Sequence, residues 1–171
     1  MLYKASFSTT AKGVTTLVYI IFAGVIFNDF FGEHDSSLGI DWVWFLLTGL
    51  VLVVPYLMHV NNYELNSEGV KINTPLRSKR IRFEDIESVI VCNYDQLGIT
   101  IRLFGSGGLW GYFGIFYSRQ FGRISLNATS LTRTLILLKG KRKKIIISPD
   151  NAENFVKGMQ DLVPGLASER L

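Results

Sequence analysis

The sequence predicts a two-helix transmembrane hairpin followed by a β-rich domain, a bent antiparallel sheet or partly open barrel capped by a C-terminal α-helix. Three observations predict it: two long stretches almost free of charge near the start, a change to short period-two segments after Asn61, and one amphipathic stretch after Asp150. The chain has 171 residues, of which 48% are hydrophobic and 19% charged. That length holds one ordinary domain and a small extra module.

The first apolar stretch, GVTTLVYIIFAGVIFNDFF, runs over 13–31 and carries no charge before Asp29. The second, WVWFLLTGLVLVVPYLM within 42–60, carries none up to Met58. At ~1.5 Å per residue, stretches of about 17 to 19 residues nearly match the ~30 Å hydrocarbon core of a bilayer. Both read as spanning helices. No small-residue cleavage site follows the first, so it reads as a retained helix and not a signal peptide.

Lys4 and Lys12 precede the first stretch, and Lys71, Arg77, Lys79 and Arg80 follow the second, while the connection GEHDSSLGID has no Lys or Arg. The positive-inside rule then places both termini in the cytoplasm. The expected location is a bacterial inner (cytoplasmic) membrane, crossed twice. Residues 1–59 carry two basic and four acidic side chains, whereas residues 60–171 carry sixteen and ten. The basic part is therefore expected on the cytoplasmic side, where an anionic leaflet attracts it. A lone cysteine, Cys92, fits a reducing compartment and a buried site.

In the cytoplasmic domain, expected over 61–165 with a tail at 166–171, NYELNSEGVKIN reads as a hairpin turning at Asn66–Gly69. Further strands are expected at 80–83, 88–93, 98–104, 122–127, 133–138 and 143–147, with FEDI as a single helical turn. Asp150 and Glu153 have capping-box spacing, and Phe155, Val156, Met159, Leu162 and Val163 share one helical face. Such a face needs a partner, and the open end of a small bent sheet supplies one.

The stretch FGSGGLWGYFGIFY, 104–117, sets five glycines among large apolar side chains. It is not a dinucleotide fingerprint, because the third glycine position falls on Trp110 and strands follow where a helix is required. Nor is it a Walker loop, and it is too short to span a membrane. A long loop or broken hairpin is expected, its glycines serving positive φ or close backbone packing. Its aromatics have two readings: they cover the barrel and the helix ends, or Trp110 and Tyr112 sit among lipid headgroups.

YELNSEGVKI, RIRFEDIESV, the glycine stretch with YFGIF, and IIISPDNAENFV, in this order and spacing over residues 62 to about 163, resemble bacterial pleckstrin-homology-like (bacterial PH) domains, in particular those tethered by two N-terminal transmembrane helices. The resemblance implies two antiparallel sheets packed as a partly open barrel and capped by the last helix, in a domain that binds or tethers. Phosphoinositide-binding relatives carry a Lys followed at a distance by a basic-x-basic pair. Lys71, Arg80 and Arg82 have that spacing, whereas the acidic turn NSEG departs from the pattern.

Two basic clusters and two aromatics are the candidate lipid or partner contacts: Arg77, Lys79, Arg80 and Arg82; Lys139, Lys141, Arg142, Lys143 and Lys144; and Trp110 with Tyr112. The clusters read either as solvated turns or as anionic-lipid contacts, each cation being worth about 1 kcal/mol near an anionic surface. His34 and His59 stand apart from any Cys or carboxylate cluster, and Glu84, Asp85 and Glu87 fit a capping or ion-pairing turn. No enzyme activity, cofactor, metal or nucleic acid is therefore expected. The expected function is a membrane-anchored binding or scaffolding module that contacts the lipid bilayer, a protein partner or a second copy. The alternative is an accessory or sensory subunit of a membrane enzyme or transporter complex.

Overall fold

The computed structural model describes residues 1–31, 41–98, 100–141 and 143–170. The connection 32–40, which carries His34, and the candidate Arg142 lie outside the described residues. Two helices, α1 (Thr9–Phe31) and α2 (Asp41–Met58), interrupt a β-rich body that the chain enters before them and rejoins after them. The segment before α1 is strand β1 (Leu2–Lys4), which pairs antiparallel with β2 (Asn62–Asn66). Asp150 N–H donates to the Lys4 carbonyl at 3.0 Å, and Ser8 N–H to the Thr129 carbonyl at 3.3 Å. β1 is too short for a periodicity signal, so the sequence gives no sign of it.

β2 turns into β3 (Gly69–Asn73), and β4 (Lys79–Arg82) completes an antiparallel sheet of order β1-β2-β3-β4. The expected alternation holds, with Tyr63, Leu65, Val70 and Ile72 all buried. Asn66 shapes the turn, its Oδ1 accepting from the N–H groups of Glu68 (3.2 Å) and Gly69 (3.0 Å).

A single 3₁₀ turn at Phe83–Asp85, the expected FEDI turn, leads to the second sheet. It comprises β5 (Ile86–Cys92), β6 (Thr100–Gly108), β7 (Gly111–Ser118), β8 (Gly122–Ala128), β9 (Leu135–Gly140), β10 (Lys144–Ile147) and β11 (Ala167–Arg170), in the order β11-β5-β9-β10-β8-β7-β6. The expectation of purely antiparallel sheets is corrected here. The chain leaves β8 to pair β9 with β5, and β10 returns between β9 and β8, parallel to β8. Residues 167–170, expected as a tail, lie parallel to β5 as β11.

Helix α3 (Ala152–Leu162) starts at Asn151, whose side chain accepts from Asn154 N–H at 3.0 Å. Phe155 and Met159 are fully buried against the first sheet and against Val89, Ile136, Leu138 and Ile147, while Leu162 is exposed. A second core lies on the other face of the large sheet, built from Ile90, Leu135, Leu137, Ile146, Ile124, Leu126 and Phe116 and closed by Leu97. Cys92 belongs to it, and burial pushes its thiol up to about 11, which leaves it protonated and unreactive at neutral pH.

The glycine stretch is a tight hairpin of two long strands, not a loop. Gly105 stands opposite Gly114 in the β6–β7 ladder. Both have φ beyond +110°, and a Cβ on either would run into the facing backbone carbonyl, of Phe113 or Phe104. Glycine is there because the strands twist too closely for any side chain.

The expectation of two membrane spans is also corrected. Among the described residues one helix is long and apolar enough to cross a membrane, over Thr9–Asn28; the apolar part of α2, Leu46–Met58, is shorter. At ~1.5 Å per residue that part covers roughly 20 Å, less than the ~30 Å hydrocarbon core.

Candidate functional site

The two basic clusters, some sixty residues apart in sequence, converge. β4 is the edge of the small sheet, and it lies against the start of β5 and the β9–β10 hairpin. Lys79, Arg80, Ile81, Asp85, Ile86, Lys141 and Lys143 are among the residues that line the cavity of about 590 Å³ between them. Register fixes the hairpin: Lys139 pairs with Lys144 across it, Gly140 N–H donates to the Lys143 carbonyl at 3.0 Å, and Lys141 N–H donates to the Asp85 carbonyl at 3.3 Å.

The lysines differ in their surroundings. Lys79 is half-buried and its Nζ lies 3.4 Å from Ser125 Oγ on β8. Burial, and secondarily the charge of Lys143, holds its ammonium below the usual lysine range. A partly dehydrated ammonium beside a second cation is stabilised by an incoming anion. The ion pairs among the described residues are Lys71–Glu64, Arg80–Glu68, Arg133–Asp150 and Arg170–Glu153, so Lys79, Lys141 and Lys143 take part in none. Asp85 is the acidic wall of the cavity.

The other candidates are placed as follows. Arg80 reaches Glu68 at 2.6 Å and Lys71 reaches Glu64 at 3.4 Å, so the acidic first hairpin answers two members of the Lys-then-basic-x-basic pattern. Arg82 is exposed. Arg77 is exposed on the 74–78 loop, which is tied to α2 by Leu76 N–H donating to the Leu57 carbonyl at 2.9 Å. Lys139 is exposed outside the cavity, and Lys144 donates to the Phe121 carbonyl at 2.6 Å, closing the β7–β8 turn. Tyr112 faces the second core and packs against it; burial, with a contribution from Tyr94, raises its phenol.

Trp110 answers neither reading of the aromatics alone. It occupies the turn of the β6–β7 hairpin with φ +54° and lies in the seam between the β body and both helices. Its N–H donates to Thr15 Oγ1 at 3.0 Å, and its Nε1–H donates to Tyr19 Oη at 3.2 Å, both on α1. Its ring meets Tyr56 of α2 at 5.0 Å, His59 at 5.4 Å and Phe7 at 5.9 Å. Such aromatic contacts are worth about 0.5–1.5 kcal/mol each beyond the area they bury. The contacts of Trp110, like the approach of Ser125 and Asp85 to the lysines, carry no sequence signal, because tertiary folding alone brings these residues together.

A helix-capped body of two sheets, preceded by a helix long and apolar enough to cross a membrane, is the architecture of a PH-like domain. The family model for the bacterial PH domain matches residues 61–163, more than half of the chain, and the protein belongs to that family. No curated protein and no solved structure matches it.

Proposed function

We propose that this protein is a membrane-anchored bacterial PH module that binds the phosphate of anionic lipid in the Lys79–Lys141–Lys143 cavity, without catalysis. The observation that carries this reading is the convergence of the two basic clusters on one cavity whose three lysines have no ion-pair partner among the described residues. Helix α1 is the anchor, by length and composition. Lys4 and Lys12 beside it, with the basic body, favour the cytoplasmic face of the membrane. Three lysines at about 1 kcal/mol each supply roughly 3 kcal/mol, or about a hundredfold preference for an anionic over a neutral headgroup.

The test is a thermal melt of the full chain in a neutral detergent, with soluble dihexanoyl phosphatidylglycerol or dihexanoyl phosphatidylcholine added. The glycerol lipid is expected to raise Tm more than the choline lipid does, with the excess shrinking in high salt. The double variant Lys79→Met, Lys143→Gln is expected to abolish the difference. Equal shifts from both lipids, or a double variant that keeps the preference, contradict the reading.

A further inference from the structure

The large apolar side chains of β6 and β7 pose a separate question. Ile101, Leu103, Phe104 and Tyr117 are all exposed, Phe104 by 71%. Leu103 is the extra residue of a bulge between Arg102 and Phe104. Beside them β6 packs on α1, and a groove of about 550 Å³ opens between the hairpin, α2 and Val14 of α1. That volume lies within the ~300–1,000 Å³ of small-molecule sites.

One wall of the groove is a single face of α2: Leu50, Val51, Val54, Pro55 and Met58. The opposite wall is the hairpin, where Gly105, Gly107 and Gly114 leave the floor bare. Two polar side chains line it. Ser106 Oγ–H is already engaged, donating to the Leu109 carbonyl at 2.7 Å. Arg102 is exposed and belongs to none of the ion pairs among the described residues; its Nη1 lies 3.0 Å from where a Gly107 Cβ would stand.

We infer that this groove holds one phospholipid of the bilayer, with an acyl chain along the α2 face and the phosphate on Arg102. Three features select a lipid. Both helices expose further apolar side chains, Leu46 and Leu47 of α2 and Leu17, Ile20, Ile21 and Val25 of α1 among them. The groove begins at the β body, where the headgroup region lies if α1 enters the membrane. A single unpaired guanidinium at an otherwise apolar site matches a molecule with one anionic group and a long hydrocarbon tail. The inference rests on the anchoring reading of α1 but not on the lysine cavity.

The test is native mass spectrometry of the full chain released from phospholipid vesicles into mild detergent. One retained phospholipid per chain is expected. Gly107→Leu fills the groove at a position whose φ is not strained and whose nearest obstacle is the movable Arg102 side chain. It is expected to cut retention at least tenfold, whereas Gly24→Leu on α1, with open space around it, is expected to leave retention unchanged. Arg102→Gln provides a second variant that leaves the backbone untouched, with the same loss expected. In parallel, bimane at Ile21→Cys in a Cys92→Ala background reports whether acyl-brominated lipid quenches α1. Quenching at Ile21 with no retained lipid, or with retention unaffected by both groove variants, overturns the inference and leaves the anchor standing. No quenching at Ile21 overturns both. A dimer without lipid that Gly107→Leu dissociates shows a second copy in the groove, and also overturns it.

Discussion

The β6–β7 and β9–β10 hairpins belong to one sheet and have opposite chemistry. β9 buries Leu135, Ile136, Leu137 and Leu138 almost completely and puts its cations at the tip. The β6–β7 hairpin does the reverse: Gly108 and Gly111 are buried beside a Trp110 joined to both helices, while Ile101, Leu103 and Phe104 stand exposed along the strand. A strand buried on both faces reads as a continuous apolar run, as LILL does. An apolar strand exposed in the isolated chain marks a face whose partner is something other than water. Under the proposed function and the further inference, the two hairpins address different parts of one membrane, β9–β10 its charge and β6–β7 its apolar part.

Glycine substitutions break this comparison most severely. Gly114→Ala places a Cβ against the Phe104 carbonyl at φ +126°. It is expected to cost on the order of 3–5 kcal/mol in detergent melts of the full chain. Gly107→Ala, whose Cβ meets only the end of Arg102, is expected to cost less than about 1 kcal/mol. Similar losses at both positions would mean that the hairpin tolerates no side chain anywhere, and the bare floor would have no separate meaning.

The apolar residues sharpen it next. Leu137 is fully buried, and Leu137→Ala is expected to cost about 2–5 kcal/mol. Phe104→Ala is expected to stay within about 0.5 kcal/mol in the same melts. A large loss at Phe104 would place that ring in a core and remove the exposed apolar edge.

Much of this was legible in the sequence. The first hairpin, the FEDI turn, the basic tip between β9 and β10 and the apolar face of the last helix follow from periodicity and turn residues, which are local signals; the cap stands one residue later than expected, because Asn151 caps the helix while the expected Asp150 accepts from Ser6 and pairs with Arg133. The rest depends on partners distant in the chain. β1 and β11 are short strands that only pairing defines. The parallel placement of β10 follows from which strand β9 chooses. The glycine stretch reads as a long loop or a broken hairpin, its glycines serving positive φ or close packing; that two of them face each other across the β6–β7 ladder is a pairing no local pattern encodes. The lysine cavity was present only as two separate clusters; folding made it one site and paired Arg80, which lines it, with Glu68.

A smaller effect links the two sheets. Tyr63 is fully buried; its Oη–H donates to the Asn127 carbonyl at 2.7 Å, and its Oη accepts from Ser148 N–H at 3.1 Å. Burial pushes its phenol up to about 12. The unfolded chain loses that proton near pH 10 and the folded chain near 12, so stability is complete below pH 10 and falls as pH rises between the two. Tyr63→Phe is expected to cost about 1–2 kcal/mol at neutral pH and to flatten this alkaline decline in pH-dependent melts. An unchanged decline would assign it to other groups.

Hydrogen exchange of the full chain shows whether the two hairpins meet different parts of one membrane. Exchange is compared in detergent, in phosphatidylcholine nanodiscs and in nanodiscs that also contain phosphatidylglycerol. Slower exchange is expected over 101–104 in both nanodiscs relative to detergent, and over 139–144 only where phosphatidylglycerol is present. Protection of 139–144 in the neutral bilayer, or exchange over 101–104 as fast in nanodiscs as in detergent, would contradict this division.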